Sequence, residues 1–373
     1  MEFFRKHHIA FHVFAFAVTS LIAITTFLGG IFASAGLSPS LADVLGHVTA
    51  TPTTVMSYTN GSTDNGDFFP NSVGFNVPLS TAVDTVNHRL FVSDAVNNRV
   101  LVFNLNSSNI PLDLTADKVL GQPDFISQNF IISENTMSNP YGVAFDSTHN
   151  RLFVVDQAFF RVLVFDTTTI VNGEDAIYVL GQPDFTTFTG VIDQTATYDP
   201  YGVLYDPINE YLFVSQYNGN RVSVFDVDPA TISNGSNAIH LFGQPNFTTF
   251  SGAVTINKLD RPYGMAYNSS ANRLFVSDTY NNRIVVYDTT TMTDGTPLIG
   301  PDALYVIGQS NFTSETSGTS TTKFDTPTGL ALDTSNNILY VTDTANNRIL
   351  TFDVTSDNAT TATHVLGQAD FVT

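Results

Sequence analysis

The sequence predicts an all-β fold, a β-propeller of four-stranded antiparallel blades. Three observations carry the prediction. One stretch recurs five times, with starts near Pro78, Pro140, Pro200, Pro262 and Pro327. Each copy holds four short runs rich in β-branched and aromatic residues; in the second these are Val143–Phe145, Arg151–Val155, Arg161–Phe165 and Ile177–Leu180. Asp, Asn, Gly, Thr and Ser separate the runs, which is strand chemistry. No apolar stripe of helical period extends through them. A single such sheet cannot cover its own apolar faces. Radial repetition gives it a neighbour on each side.

The chain has 373 residues, of which those from 78 to 373 are repeats, so one closed domain is expected. Residues 1–41 read as a targeting segment. Arg5 and Lys6 give a basic start, and no Asp, Glu, Lys or Arg occurs from Ile9 to Ala42. Ala33-Ser34-Ala35 offers a small-residue cleavage site for a signal peptide. The same run is long enough to stay as a hydrophobic membrane-anchoring helix. Either way the repeats are expected outside the membrane, in an extracellular or cell-surface location.

Residues 42–77 form a lone strand and a polar linker. Asp43-Val44-Leu45-Gly46-His47 repeats the fourth-strand motif Lys118-Val119-Leu120-Gly121-Gln122, yet no first three strands precede it. Thr, Ser, Asn and Gly dominate from Thr49 to Asn76, as in loops. Three arrangements fit five full repeats with one spare strand. The lone strand can seal a five-bladed ring, a sixth blade can lie outside this sequence, or the array can be open or closed by a partner. We expect a propeller of five full blades.

Spacing separates the faces. From repeat Pro to repeat Arg is 21 residues in every copy (78→99, 140→161, 200→221, 262→283, 327→348). From the Phe ending each GQPDF-like motif to the next Pro is 15 residues (125→140, 185→200, 247→262, 312→327). Only the third-to-fourth strand loop varies. Strand alternation puts the second-to-third loops and the crossovers on one face, and the variable loops on the other.

The pattern Pro-x-Gly-x-Ala-x-Asp, then a strand ending in Asp, then Asn-x-Arg or Asn-Arg before another strand, resembles the NHL repeat. The resemblance spans roughly residues 74–373. It implies a propeller, most often six-bladed, but no single activity.

Asp94, Asp156, Asp278 and Asp343, with Gln216 in the third copy, stand five residues before Arg99, Arg161, Arg283, Arg348 and Arg221. A polar pair present in nearly every blade is expected to fasten the blade by charge-assisted hydrogen bonds. The acids ending the first and third strands suit turns. Gly142, Gly202, Gly264 and Gly329 read as tight turns into the innermost strand.

No GxSxG, HExxH or EF-hand spacing occurs, and no His lies on an innermost strand, so catalytic and metal residues are expected to be none. No cofactor is expected, with calcium in the channel left open. Absence of Cys excludes disulfides and thiolate chemistry. A formal charge of −20 with 14 basic residues argues against a nucleic-acid partner.

Specific function is expected where repeats disagree near the channel mouth. Val77, Asn139, Asp199, Arg261 and Thr326 precede the repeat Pro. Val96, Ala158, Asn218, Tyr280 and Ala345 vary within the second-to-third loop. Candidate binding residues are Asn139, Phe159, Asp199, Tyr217, Arg261 and Tyr280. The reading is a binding scaffold for a protein, peptide or glycan, with a metal-dependent lyase or lactonase as the alternative.

Overall fold

The computed structural model describes residues 70–372, apart from Gly295 and Asn358. The expected N-terminal helix and the lone strand at Asp43–His47 lie outside these residues. Among the described residues no helix is long and apolar enough to cross a membrane.

The repeats form five sheets of four antiparallel strands, each sheet a simple meander. The first blade comprises Pro78–Asp84, Arg89–Asp94, Arg99–Asn104 and Lys118–Leu120. The second comprises Pro140–Asp146, Arg151–Asp156, Arg161–Asp166 and Tyr178–Leu180. The third, fourth and fifth begin at Pro200, Pro262 and Pro327 on the same plan. Every innermost strand carries an irregularity in its first half, between Pro140 and Val143 in the second blade. The strand starts on a proline that has no N–H for the ladder, so pairing slips before it settles.

Alternation along the strands sends apolar side chains to both faces of each sheet. Neighbouring blades bury these faces against each other. Phe91, Val100, Val102 and Leu120 of the first blade meet Leu152, Val154, Leu163 and Phe165 of the second. The same arrangement recurs between the second and third, third and fourth, and fourth and fifth blades. An aromatic pair marks three of these interfaces, with centroids 5.5 Å apart for Phe91–Phe145, 5.4 Å for Phe153–Tyr205 and 5.2 Å for Phe213–Tyr267.

The innermost strands pack side by side in chain order, first on second through fourth on fifth. The repeat glycines make this possible, and their role differs from the expected tight turn. Gly142, Gly202 and Gly264 lie within the innermost strands. A Cβ on Gly142 would sit 2.8 Å from the Tyr201 carbonyl oxygen of the next blade, and one on Gly202 would sit 2.6 Å from that of Tyr263. Only glycine lets the backbones approach so closely.

No comparable packing joins the fifth innermost strand to the first. The ring counterpart of Phe91–Phe145 would be Tyr340 with Val83. Tyr340 is only half-buried, and Val83 is 38% exposed. The described blades thus form an arc around the channel with one sector lacking a blade–blade interface.

Candidate functional site: the tyrosine-lined channel mouth

The Asp–Arg pairs form the frame. Arg161 donates from Nε to Asp156 at 2.7 Å, to the Phe185 carbonyl at 2.7 Å and to the Ser133 and Thr136 carbonyls at 3.0 and 2.9 Å. Asp156 also accepts from the Ser138 amide at 2.8 Å. One buried pair thereby ties the hairpin to the crossover before it and the turn after its fourth strand. Arg99, Arg283 and Arg348 repeat this pattern. Burial pushes Asp156 and Asp278 up to about 6, with their arginines working against it. In the third blade Gln216 takes the acid's place and accepts from Arg221 Nε at 2.9 Å. Burial lowers Arg221 to about 10, with no carboxylate in the pair to offset it.

This frame holds the five residues before the repeat prolines at the mouth. Val77, Asn139, Asp199, Arg261 and Thr326 all have left-handed backbone, with φ between 52° and 60°. Asn and Asp adopt that conformation readily; Val, Arg and Thr are held in it by the surrounding structure. Part of the hold comes from the preceding blade. Asn98 Oδ1 accepts from the Asn139 amide at 2.9 Å, Asn220 from that of Arg261 at 2.7 Å and Asn282 from that of Thr326 at 2.8 Å.

Five of the six candidate residues come together. Asn139 donates to Gln157 at 2.8 Å, Gln157 donates to Asp199, and Asn218 donates to the other Asp199 oxygen. Asp199 is 4% exposed, and burial raises its pKa above the usual carboxylate range, against the donors and Arg261. The Asp199 carbonyl accepts from the Tyr217 amide at 2.9 Å. The Arg261 guanidinium lies 4.0 Å from the Tyr280 ring centroid and 5.7 Å from that of Tyr217. Such stacking holds the cation over the ring faces.

Phe159 stands apart from this cluster. Its ring packs on Phe188 at 6.3 Å and lies 5.3 Å from the Arg161 guanidinium carbon. It fills the place that Asn97, Asn281 and Asn346 use to donate to their aspartates. Phe160 beside it completes a second aromatic patch with Phe188 and Tyr198.

Tyr141, Tyr201 and Tyr263 belong to the site and were not among the residues expected there. They follow the repeat Pro in three consecutive blades, where the other copies have Leu79 and Thr328. Tyr201 lies 4.4 Å from Tyr141, 4.5 Å from Tyr217 and 5.2 Å from Tyr263 by ring centroids. The disagreement between Tyr, Leu and Thr at this position was the available signal. Burial raises all four phenols, so their hydroxyls stay protonated at neutral pH. They offer hydrogen bonds and ring faces, not phenolate chemistry.

The channel below the mouth has a volume of about 160 Å³ and is lined by Leu79, Ser80, Met265 and Leu330 with the three tyrosines and the repeat glycines. Among the described residues no group of three or more His, Asp or Glu could hold a metal ion. His149 lies 3.0 Å from Asp146 and 3.6 Å from Glu210, at the first-to-second turns.

The sequence profile of the NHL repeat matches residues 259–287 and 324–352, the parts of the fourth and fifth blades that run from the mouth residue into the third strand. The chain carries NHL repeats, built into a β-propeller. NHL repeat-containing protein 2 of Homo sapiens is 35% identical over 102 residues, which are 27% of this chain and 13% of that protein. The Gallus gallus protein of the same name is 32% identical over 108 residues, 29% of this chain and 14% of its own length. The match thus spans a small part of those relatives. Among solved structures, a chain of the nidogen/laminin complex has a TM-score of 0.48 at 16% identity, covering 79% of this chain and 82% of its own. A functionally unknown protein from Desulfotomaculum acetoxidans DSM 771 has a TM-score of 0.49 at 12% identity, covering 79% and 71%. Likeness of this degree leaves function to be argued from the residues of this NHL propeller.

Proposed function

We propose that this NHL propeller is an exported or cell-surface binding scaffold that engages a protein or peptide ligand at the tyrosine-lined mouth. The observation that carries the reading is the stack of Arg261 on Tyr280 and Tyr217 beside buried Asp199. Tyr280 is 48% exposed, so an aromatic face and a fixed cation are offered to solvent together. Tyr and Arg are the residues that most often dominate binding energy at protein interfaces. Repeats that agree at structural positions differ here, which gives one ring of equivalent sites a single specific sector. Export is supported by the basic start at Arg5 and Lys6 and the uncharged run after it.

The lyase or lactonase alternative needs acids, bases or metal ligands converging in the channel. The described lining is instead apolar, phenolic and glycine-rich.

A photoreactive residue at Tyr280, introduced in the full chain on its own host cells, tests the binding reading. A crosslinked protein that is lost with Arg261→Asn supports it. Crosslinks only elsewhere on the propeller, or capture unchanged by Arg261→Asn, would overturn it. A glycan bound at the mouth in place of a protein would replace it.

A further inference from the structure

Among the described residues, every arginine but two pairs with an aspartate. One exception, Arg221, is fully buried and bonds Gln216 and backbone carbonyls instead. The other is Arg261, half-buried at the mouth. The chain has 34 acidic residues, yet among the described ones no carboxylate stands at ion-pair distance from this guanidinium. Asp199 and Asp260 act on it only from further away. Both Asp199 oxygens are taken, one by Gln157 and the other by Asn218. Stacking on Tyr280 uses the face of the guanidinium. Its N–H groups lie in the plane, at the edge, as the fork that fits a carboxylate with two parallel bonds.

An apolar space adjoins this cation. Tyr217, whose ring centroid is 5.7 Å from the guanidinium, stacks on Tyr201 at 4.5 Å. Tyr201 lines the channel together with Tyr263, Leu79, Met265 and Leu330. Arg261 precedes the lining Tyr263 by two positions in the chain. The channel volume is about 160 Å³. An apolar cavity of about 150 Å³ admits a benzene-sized group, so there is room for one large apolar side chain.

We propose that the mouth recognises the free C-terminus of a peptide ending in a large apolar residue. Arg261 bonds the terminal carboxylate, and the last side chain enters the channel. The inference rests on the peptide-binding reading of the mouth given above. Charge decides where the carboxylate comes from. A chain of net charge −20, with Asp199 and Asp260 in the neighbourhood of Arg261, repels an acidic tract or a doubly charged phosphate. A lone carboxylate on an otherwise apolar chain end meets the least repulsion. The Tyr217 and Tyr263 phenols stay neutral and add no negative charge against it.

Random hexapeptides, tagged at the N-terminus and made once with a free C-terminus and once amidated, test the inference when captured on the full chain. The free form is expected to be retained roughly tenfold or more over the amide, the gain of a hydrogen-bonded charge. Leu, Ile, Met or Phe should be enriched at the last position. Arg261→Asn should erase the difference between the two forms at an unchanged melting temperature, since Asn takes the left-handed backbone readily. Equal capture of both forms that is lost with Tyr280→Ala would overturn C-terminal recognition and leave the mouth a peptide site. Enrichment of Asp or Glu within amidated peptides would overturn it in favour of side-chain carboxylates. No capture, or capture indifferent to Tyr280→Ala, would overturn both readings. The wild-type comparison of free and amidated peptides decides the matter even where a variant fails to fold.

Discussion

The guanidinium of Arg261 rests 4.0 Å from the centre of the Tyr280 ring, on a backbone held at φ 54°. Neither residue is needed to complete a repeat. The frame around them is shared by all blades, so their removal should separate binding from folding. Tyr280→Ala is expected to weaken ligand capture at least tenfold while changing stability by less than about 1 kcal/mol, because the ring is 48% exposed. Titration of the captured ligand and denaturant unfolding of the same samples check both halves.

Arg161→Ala should behave in the opposite way. It leaves the Asp156 carboxylate buried without its partner and strips donors from three backbone carbonyls. Losing one member of a buried pair costs about 3–5 kcal/mol. Equilibrium unfolding in urea is the measurement, and a midpoint equal to wild type would refute the structural role.

Phe160 holds a left-handed backbone at φ 53°, where Asn98, Asn220 and Asn282 stand in other blades. A bulky residue there costs roughly 1–2 kcal/mol. It also lacks the side-chain oxygen that receives the next mouth amide in those blades. Phe160→Asn is therefore expected to stabilise the fold by about 1 kcal/mol. Loss of its packing on Phe188 and Tyr198 works against this, and a lower melting temperature would mean that packing wins.

Gly202→Ala and Gly329→Ala compare a closed junction with the sector where the described blades share no interface. The first places a methyl group 2.6 Å from the Tyr263 carbonyl oxygen. Overpacking against backbone should cost about 1–3 kcal/mol. Among the described residues no such approach is made at Gly329, so its alanine variant should fall within about 0.5 kcal/mol of wild type. Equal losses at both would show a fifth junction like the other four.

The buried aspartates set a pH dependence. Asp156 and Asp278 are raised to about 6 by burial, from near 3.8 when unfolded. The folded state therefore keeps their protons longer than the unfolded state does. That contribution is complete below about pH 4 and is lost as pH rises through 6. The melting temperature should fall between about pH 4 and about pH 6.5, and Asp278→Asn should flatten part of that fall. The lowered acids, such as Asp84 and Asp333, act in the other direction and at lower pH.

Sequence periodicity was sufficient for the blades because each strand's code is local. Arg161–Phe165 alternates, turns bound it, and the structure places a strand at Arg161–Asp166. The glycines were misread for the opposite reason. Nothing near Gly142 in the chain says that Tyr201 of another blade will press against it. The site was partly legible through disagreement among copies, which picked out Asn139, Asp199, Tyr217, Arg261 and Tyr280. It missed Tyr141, Tyr201 and Tyr263, because an aromatic beside the repeat Pro looks like core until the channel is seen. It included Phe159, because sequence does not tell which way a loop aromatic turns.

By itself, then, the sequence determined the repeat, its four strands and the buried Asp–Arg pairs, since these follow from spacings within about 21 residues. Only the tertiary structure decided which variable residues meet and which two of the described blades share no interface. Those outcomes depend on contacts between separate blades, such as Asn98 with Asn139 or Tyr201 with Tyr263, and no local pattern encodes the angle at which one sheet meets the next.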